Sequence, residues 1–465
     1  MLKLYDTLTR EKRLFEPLHA GKVGMYVCGI TVYDVCHVGH ARAMIVYDVL
    51  YRHLLNLGFS VNYVRNITDV DDKIIRRAEQ TDQSAIQVAE RYIQEMREDE
   101  SALSVLPPTH EPRATQTIDG MLVLIEQLID AGHAYPAANG DVYYSVKSFD
   151  EYGKLSGRNL ADLRAGERVA IDEHKRDPLD FVLWKSSKEN EPSWESPWGP
   201  GRPGWHIECS AMSREMLGEE FDIHGGGIDL EFPHHENEIA QSEALTNGRF
   251  ARYWVHNGMI RIDDVKMSKS LNNYLTIKDA LKEYTGEELR TFILSSHYRS
   301  PVNYTRESMQ SARSALRRFY TALRNIELLS DPPEDPLSKK FIVQFDKAMN
   351  DDLNTPEALA VLHELAGVLN KQDDAANRQA MATTLSALGQ RLGLLNHPAE
   401  EVLQAHMPGE AAASRLTDDE INELILRRNQ ARQQKDYATS DQIRDELAAE
   451  GIVLEDADGA TSWRR

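Results

Sequence analysis

One segment near the N-terminus constrains the fold of this 465-residue chain more than any other. Residues 23–29 are mostly apolar and predict a short buried strand that ends in a turn. Apolar side chains then recur every three or four residues from Met44 to Leu57, which predicts a helix, and Gly58 ends it. Residues 61–64 predict the next strand. Strand, helix and strand within roughly 45 residues make a βαβ unit, so we expect a parallel sheet and an α/β fold.

Ligands of parallel sheets bind at the carboxyl ends of the strands. Cys28 lies at the end of the first predicted strand, and residues 37–40 lie where the following helix begins. We therefore expect both at the ligand-binding edge of the sheet.

The remainder of the chain divides by its periodicity and composition. Helical periodicity dominates after about residue 305 and predicts a bundle of about four helices. The predicted organisation is a Rossmann-like parallel-sheet domain over 1–135 and 205–260, an insertion over 136–204, a lysine-containing loop region over 261–304, an α-helical bundle over 305–396, a linker over 397–415 and a small C-terminal module over 416–465.

Composition and charge exclude several classes of protein. No run of about 18 apolar residues is present and the N-terminus has no apolar signal core, so no membrane contact is expected. Three cysteines do not make a disulfide framework, and a reducing cytoplasm fits them best. A net charge of −21 argues against a general nucleic-acid coat protein and against a DNA partner. It leaves room for one polyanion that docks on local basic patches.

Residues 224–238 are the densest cluster of chemically active side chains, with three histidines, four carboxylates and three consecutive glycines. Pro233 suits the first position of a helix, which would place His234 and Glu238 one turn apart on the same face. An imidazole and a carboxylate at that spacing can hold a metal jointly, and Cys28 and Cys209 could complete the site.

Other residues of the same block are also candidates for metal ligands. His235 and Glu236 follow His234 at the next two positions of the predicted helix and would point away from it. We therefore leave them out of the expected ligand set, together with His224. Cys36 is interpreted as a small packing residue.

Two short motifs could bind phosphate groups. His37, Gly39 and His40 lie at a predicted helix N-terminus, where unpaired N–H groups and the helix dipole favour anions. Lys266 and Lys269 lie on a loop with Ser268 and Ser270, and could neutralise a leaving pyrophosphate. Taken singly, the first motif is more often a helix start with exposed histidines, and the second is often a solvated turn.

Together, in this order, the motifs carry a resemblance. His37-Val38-Gly39-His40 and Lys266-Met267-Ser268-Lys269-Ser270 resemble the two signature motifs of the class I aminoacyl-tRNA synthetases. The surrounding segments resemble the cysteinyl-tRNA synthetase family within that class, over essentially the whole chain: 29–34, 66–73, 202–209 and 224–238. Val38 stands where the motif usually has isoleucine, which is a conservative difference.

The resemblance implies one Zn²⁺ ion per chain, held by Cys28, Cys209, His234 and Glu238. Thiolate and imidazole suit zinc, and a metal that can add a fifth ligand can take the substrate thiol as a thiolate. Serine carries a harder and far less acidic hydroxyl group, so the metal would discriminate where shape alone would do so poorly.

The resemblance also implies roles for the phosphate-binding motifs and for the nucleotide site. His37, His40, Lys266 and Lys269 would stabilise the transition state, with Gly39 and Lys269 also contacting ATP, which arrives with Mg²⁺. Asp229, after the three glycines, could bond the ATP ribose.

Two further residues are candidates for contact with substrate. Trp205 could pack beside the amino acid or adenine, although core packing is nearly as good an interpretation. Thr68, at the end of a strand, could line the cysteine pocket.

The resemblance makes 1–135 and 205–260 the catalytic domain and assigns contacts with tRNA to the C-terminal half. It implies a loop and stem-contact region over 261–304, anticodon binding by the bundle and tRNA binding by the C-terminal module. Charged helix faces are usually only solvated. Trp463 could stack on a base. The basic residues in question are Arg306, Arg313, Arg317, Arg318 and Arg324 in the bundle, and Arg427, Arg428, Arg432, Lys435, Arg464 and Arg465 in the module.

The expected function is therefore ATP-dependent activation of L-cysteine and its transfer to tRNA(Cys), by a monomer. One alternative is a ligase that joins cysteine to a small-molecule amine, which would not need the arginine-bearing bundle. A second is a zinc-stabilised RNA-binding protein without catalysis, which would not need the lysine loop. A zinc hydrolase is a weaker third, because no His-Glu-x-x-His pattern is present.

Overall fold

A computed structural model describes residues 1–159, 173–246, 248–266, 274–405, 408, 416–457 and 460–465, without the side chains of 266, 457 and 460. Its strands are β1 (Lys3–Asp6), β2 (Glu11–Leu14), β3 (Lys22–Thr31), β4 (Ser60–Thr68), β5 (Ala134–Pro136), β6 (Val142–Tyr144), β7 (Phe181–Ser186), β8 (Gly201–Pro203), β9 (Phe221–Gly227), β10 (Ala251–Asn257), β11 (Ile260–Ile262), β12 (Val265–Lys266), β13 (Val302–Tyr304), β14 (Val453–Ala457) and β15 (Ala460–Arg464).

Its α-helices are α1 (Val38–Asn56), α2 (Asp72–Thr81), α3 (Ala85–Ala102), α4 (Ile118–Asp130), α5 (Trp205–Leu217), α6 (Glu236–Thr246), α7 (Ile277–Glu283), α8 (Gly286–Leu294), α9 (Arg306–Leu323), α10 (Pro336–Asn350), α11 (Thr355–Leu369), α12 (Ala375–Arg391), α13 (Ala399–Gln404), α14 (Asp418–Gln433) and α15 (Tyr437–Ala449). Within the described residues, no helix is both long enough and apolar enough to cross a lipid bilayer.

The predicted βαβ unit forms the middle of a four-stranded parallel sheet in the order β10-β9-β3-β4. The apolar stripe of α1 is buried, with Leu50 and Leu54 fully inaccessible. Tyr26 of β3 lies opposite Val64 of β4 on one side and His224 of β9 on the other. The sequence expectation of an α/β fold with a parallel sheet is thus confirmed, and β3 is an interior strand whose end is flanked on both sides.

The stretch predicted as an insertion contributes a second, antiparallel sheet in the order β5-β6-β7-β8. Its aromatic residues are packed inside, and Trp184 is fully buried. β8 leads directly through Gly204 into α5, so this sheet delivers Trp205 and Cys209 back to the parallel sheet.

The contacts divide the chain into two units whose limits differ from the predicted ones in two places. Residues Gln344–Ala358, predicted as bundle, belong to the N-terminal unit with Met1–Ile277 and Ile293–Thr305. Asp352 explains this, because its buried carboxylate accepts hydrogen bonds from the Tyr5 N–H at 2.8 Å, the Tyr298 hydroxyl at 2.7 Å and the Arg299 Nε at 2.8 Å. The local sequence around Asp352 does not indicate these partners, because they lie 347, 54 and 53 positions away along the chain.

The second unit comprises Lys278–Phe292, Arg306–Val343 and Leu359–Arg465. Residues 278–292 belong to it because Glu288 pairs with Arg313, at 2.8 Å between Oε1 and Nε, and because the Tyr320 hydroxyl donates to Glu287. At the C-terminal end, the apolar faces of α14 and α15 enclose Trp463, which is 2% exposed.

The stacking role predicted for Trp463 is therefore wrong. The indole lies in the core of the module, where its Nε1 donates to Asn422 at 2.9 Å and the Arg465 guanidinium covers its ring. Local sequence does not predict this burial, because Trp463 lies between polar residues on a strand whose inner face is visible only in the structure.

We predict that Asp352→Asn lowers the free energy of unfolding by about 2 kcal/mol, because the amide cannot satisfy three donors, one of them charged. Asparagine tolerates the left-handed backbone of this position, where φ is +62°, so the backbone is not the cause. The neighbouring Asp351→Asn is the control. It breaks only an exposed pair with Lys12 and should cost less than about 0.5 kcal/mol. Equal losses in denaturant unfolding would contradict the assignment.

Candidate functional site

A cavity of 460 Å³ opens at the carboxyl edge of the parallel sheet. It is lined by the end of β3, the start of α1, the segment after β9 and the segment after β10. Five of the residues predicted for the site line it: Cys28, His37, Gly39, His40 and Asp229. Thr68 and Trp205 are not among the lining residues.

His37 and His40 are held rigidly at the N-terminus of α1. His37 is the N-cap residue, its Nδ1 accepts from the His40 N–H at 3.3 Å, and the Nδ1 of His40 accepts from the His37 N–H at 3.2 Å. The two rings stack with centroids 3.7 Å apart. Since each Nδ1 accepts, the ring proton lies on Nε2, and the pair offers two fixed donors beside the helix N-terminus.

Asp229 lies in a short 3₁₀ turn, Ile228–Leu230, directly after β9. A side chain at Gly227 would collide with it, because a Cβ there would come within 2.4 Å of the Asp229 Oδ1. The preceding Gly226 is restricted in the same way, since a Cβ would come within 2.8 Å of the His235 ring. The glycine run therefore lets the strand end pass close to two functional side chains.

The four residues predicted as metal ligands come together behind this cavity. One ligand atom from each of Cys28, Cys209, His234 and Glu238 lies within 4.8 Å of the others. The two sulfur atoms are 3.7 Å apart, the Cys28 Sγ is 3.5 Å from the Glu238 Oε1, and the His234 Nε2 is 3.1 Å from the same oxygen. β3 supplies Cys28, α5 supplies Cys209, α6 supplies Glu238, and the turn before α6 supplies His234.

The donor set fits a soft divalent metal. The Nε2 of His234 is buried and has no hydrogen-bond partner among the described residues, while its Nδ1 lies 2.9 Å from the Nδ1 of His206. An imidazole held through one nitrogen, with the other aimed at two thiols and a carboxylate, is arranged as metal-binding histidines are. Two sulfurs, one nitrogen and one oxygen suit zinc or cobalt and do not suit magnesium or calcium.

Burial governs the ionisation of these groups when no ion is bound. It raises the pKa of the Cys28 and Cys209 thiols and lowers the pKa of His234, so both sulfurs keep their protons and the ring is neutral. A bound cation would reverse the balance for the thiols by electrostatic attraction.

A second possible set of metal ligands overlaps the first, and it contains His224 and His235, which the sequence analysis leaves out. Cys28, His224, His235 and Glu238 also have ligand atoms within 4.8 Å of one another. The His224 Nε2 is 2.9 Å from the Glu238 Oε2, and the His235 Nε2 is 3.3 Å from the Cys28 Sγ.

The expectation that His235 points away from the cluster is wrong. Pro233 does not open the helix, since residues Glu231–His235 form a π-type turn and α6 begins at Glu236. In that turn consecutive histidines both face inward. The His235 Nδ1 also contacts the His256 Nε2 at 2.8 Å, and the His256 Nδ1 contacts the Thr7 hydroxyl at 2.8 Å.

Trp205 and Thr68 have partners that differ from those expected. Trp205 begins α5 and stacks on the His234 ring at 4.1 Å, with its side chain 38% exposed. Thr68 ends β4, is buried, and donates to the Glu208 Oε2 at 2.8 Å. Burial raises the pKa of Glu208 well above its usual range. Trp205 therefore contacts one of the four predicted metal ligands, and Thr68 contacts the helix that carries another. Contact of either residue with substrate stays a prediction.

The lysine loop is described only at its start. Lys266 ends β12, but its side chain lies outside the described part of the structure, and Lys269 lies wholly outside it. Their predicted roles stay predictions.

Several of the arginines predicted to contact tRNA instead hold the second unit together. Arg324 pairs with Glu400 at 2.7 Å and with Glu455 at 3.0 Å. Arg428 pairs with Asp456 at 2.7 Å. Five basic residues of the predicted set are exposed: Arg306, Arg318, Arg427, Arg432 and Lys435. Of these, Arg432 pairs with Asp456 at 2.9 Å.

Comparison with known proteins identifies families along the chain. Residues 14–314 match the family described as the tRNA synthetases class I (C) catalytic domain, residues 344–396 match the DALR domain, and residues 415–464 match the cysteinyl-tRNA ligase anticodon binding domain. The cysteine–tRNA ligases of Chromobacterium violaceum and Methylococcus capsulatus are 57% and 55% identical, each over 100% of this chain and 100% of the relative.

Solved structures support the fold. The Mycobacterium tuberculosis methionyl-tRNA synthetase in complex with methionyl-adenylate matches 80% of this chain and 89% of its own, at 14% identity and a TM-score of 0.57. A leucyl-tRNA synthetase of Agrobacterium radiobacter in a ternary complex matches 83% of this chain and 85% of its own, at 13% identity and a TM-score of 0.59.

Titration with Co²⁺ should decide between the two overlapping ligand sets, because thiolate-to-cobalt charge-transfer absorption grows with the number of bound sulfurs. We expect two thiolates in the native protein, hence Cys209→Ser halves the absorption per bound metal, and Cys28→Ser does the same. Cys36→Ser is the matched control, since Cys36 is buried outside both sets and should leave the spectrum unchanged. If Cys209→Ser leaves it unchanged and Cys28→Ser abolishes it, the metal occupies the set with His224 and His235.

Proposed function

Because this chain belongs to the cysteine–tRNA ligase family of class I aminoacyl-tRNA synthetases, we propose that it activates L-cysteine with ATP and transfers it to tRNA(Cys). The observation that carries the proposal is the cluster of Cys28, Cys209, His234 and Glu238 beside a cavity that the paired histidines also line. Such a soft donor set, next to a site for a polyphosphate, suits a substrate that carries a thiol.

In the first step, a carboxylate oxygen of cysteine attacks the α-phosphorus of ATP. The bond from that phosphorus to the bridging oxygen breaks, which gives cysteinyl-adenylate and pyrophosphate. The two Nε2–H donors of His37 and His40 hold the phosphate oxygens against the N-terminus of α1, so that the charge of the transition state meets fixed dipoles. Lys266 and Lys269 neutralise the departing pyrophosphate together with Mg²⁺.

Asp229 is placed to orient the nucleotide. Its carboxylate lines the same cavity as Gly39, at the end of β9, where it can accept hydrogen bonds from the ribose hydroxyls. In the second step a ribose hydroxyl of the tRNA 3′-terminal adenosine attacks the cysteinyl carbonyl carbon, and AMP leaves. The rate of this step depends mainly on how the two reactants are positioned, so no residue is assigned as an essential general base.

Cys28, Cys209, His234 and Glu238 would hold one Zn²⁺ ion, and that ion would supply a soft Lewis acid that favours the thiol of cysteine over the hydroxyl of serine. Trp205 supports this site by stacking on His234. The discrimination is then chemical, because a pocket shaped for one of two near-isosteric side chains rejects the other only weakly.

Pyrophosphate exchange tests this function. We expect incorporation of labelled pyrophosphate into ATP with cysteine and not with serine, and loss of exchange after removal of zinc and recovery when zinc is returned. Absence of exchange with every amino acid would overturn the synthetase assignment and favour a non-catalytic RNA-binding protein. Addition of tRNA or of a small amine to the activated mixture then identifies the acceptor.

Contact with tRNA rests on the exposed basic residues of the C-terminal module. We predict that Arg427→Ala combined with Lys435→Ala raises the KM for tRNA(Cys) severalfold and reduces its salt dependence, while pyrophosphate exchange and thermal stability stay unchanged. Arg428→Ala is the comparison, because it breaks the pair with Asp456 and should lower the melting temperature. An unchanged KM in the double variant would exclude this surface from the tRNA interface.

A further inference from the structure

Tyr26 is a buried polar residue beside the four predicted metal ligands, and it has no role in the reaction steps described above. It lies on β3 two residues before Cys28, and alternate residues of a strand face the same side. Its side chain is fully buried, packed against the ring of His224 at 5.3 Å and the ring of Phe221 at 6.4 Å. The hydroxyl of a buried tyrosine usually makes a hydrogen bond or reaches the protein surface.

The Tyr26 hydroxyl is buried, and among the residues that the structure describes it makes no well-aligned hydrogen bond. The side chain within hydrogen-bond range of it is Cys209, with Cys28 and Glu238 also nearby. After burial itself, these groups raise the pKa of the phenol. A buried hydroxyl without an aligned partner is unfavourable, so we expect a state of the protein in which it is fully paired.

The surroundings of the Cys209 sulfur show what that state is. Besides the Tyr26 hydroxyl, it contacts the Cys28 sulfur at 3.7 Å and the Asn66 Oδ1 at 3.8 Å. The Asn66 Oδ1 accepts from the Gly29 N–H at 2.8 Å, and the Asn66 Nδ2 lies 3.3 Å from the Thr68 hydroxyl. The amide is thereby fixed with its oxygen toward Cys209, and it cannot donate to a thiolate.

We propose that Tyr26 is a positioning residue of the metal site, whose hydroxyl donates a hydrogen bond to the Cys209 thiolate once a metal has displaced the thiol proton. The proton of Cys209 goes to solvent when the metal binds, and Tyr26 keeps its own. This inference rests on the metal site of the proposed function, and it adds a residue that is not a ligand.

The other sulfur also has a polar neighbour. The Nε2 of His235 lies 3.3 Å from the Cys28 Sγ. With its proton on Nε2, the imidazole would donate to Cys28 as the phenol of Tyr26 would donate to Cys209. A hydrogen bond to a thiolate withdraws charge from the sulfur, which then donates less to the metal. The metal remains more strongly electrophilic and accepts a further thiolate more readily. Tyr26 would in this way tune the preference for a thiol substrate.

Tyr26→Phe tests the proposal, since it keeps the ring and removes only the hydroxyl. We expect the metal-free protein to be as stable as the wild type or more so, because an unpaired buried polar group is lost. We expect the affinity for Zn²⁺, measured by competition with a chromophoric chelator, to fall by about 10- to 100-fold, because the buried Cys209 thiolate loses the donor that stabilises its charge against reprotonation. In the Co²⁺ form, the charge-transfer band should move to longer wavelength, because the sulfur lone pairs rise in energy without the donor.

Tyr298→Phe is the matched control. Tyr298 is also buried, but its hydroxyl donates to Asp352 at 2.7 Å, so this variant should lose stability and keep the Zn²⁺ affinity and Co²⁺ spectrum of the wild type. Unchanged affinity and an unchanged band in Tyr26→Phe would overturn the proposal.

The proposed function can fail separately from the role of Tyr26. Wild-type protein that binds Zn²⁺ but gives no cysteine-dependent pyrophosphate exchange would refute the enzyme assignment and leave the Tyr26 comparison intact. Wild-type protein that binds no Zn²⁺ or Co²⁺ would overturn the role of Tyr26 as well.

Discussion

The parallel pairing of β3 with β9 is the constraint on which the rest of the site depends. It aligns Met25 with Ile223, Tyr26 with His224 and Val27 with Gly225, and so brings the end of one strand beside the start of the block at 224–238. Cys28 then lies next to α6, which carries Glu238, although 210 positions separate them. A shift of this register by one residue would turn Cys28 and Tyr26 to the opposite face.

Sequence patterns predicted those parts of the site that depend on residues close together in the chain. The βαβ unit followed from the apolar periodicity of residues 23–64, and the contact of His234 with Glu238 followed from their spacing of four. The participation of Cys28 and Cys209 came from family resemblance, because no periodicity relates residues 181 positions apart. The sequence could name these four residues, but it could not show that the His234 Nε2 faces both the Glu238 carboxylate and the two sulfurs.

Predictions failed where tertiary contacts replaced a local rule. A regular helix after Pro233 would have turned His235 outward, and the π-type turn instead points it at Cys28. The arginines of the bundle predict a surface for phosphates, which stays a prediction, but Arg313 and Arg324 pair with carboxylates of their own unit. In a chain with a net charge of −21, acidic partners are abundant, so the count of basic residues in a segment says little about how many face solvent.

One sheet supplies both halves of the chemistry. β3 carries Cys28 and Tyr26, β9 leads into Asp229, and the loop after β3 leads into the histidine pair at the start of α1. The atoms that would hold a thiol and those that would hold a nucleotide are therefore fixed by the same backbone hydrogen bonds. Selection of the amino acid and orientation of the phosphates are then not independent properties, because a displacement of β3 against β9 changes the distance between the two sites.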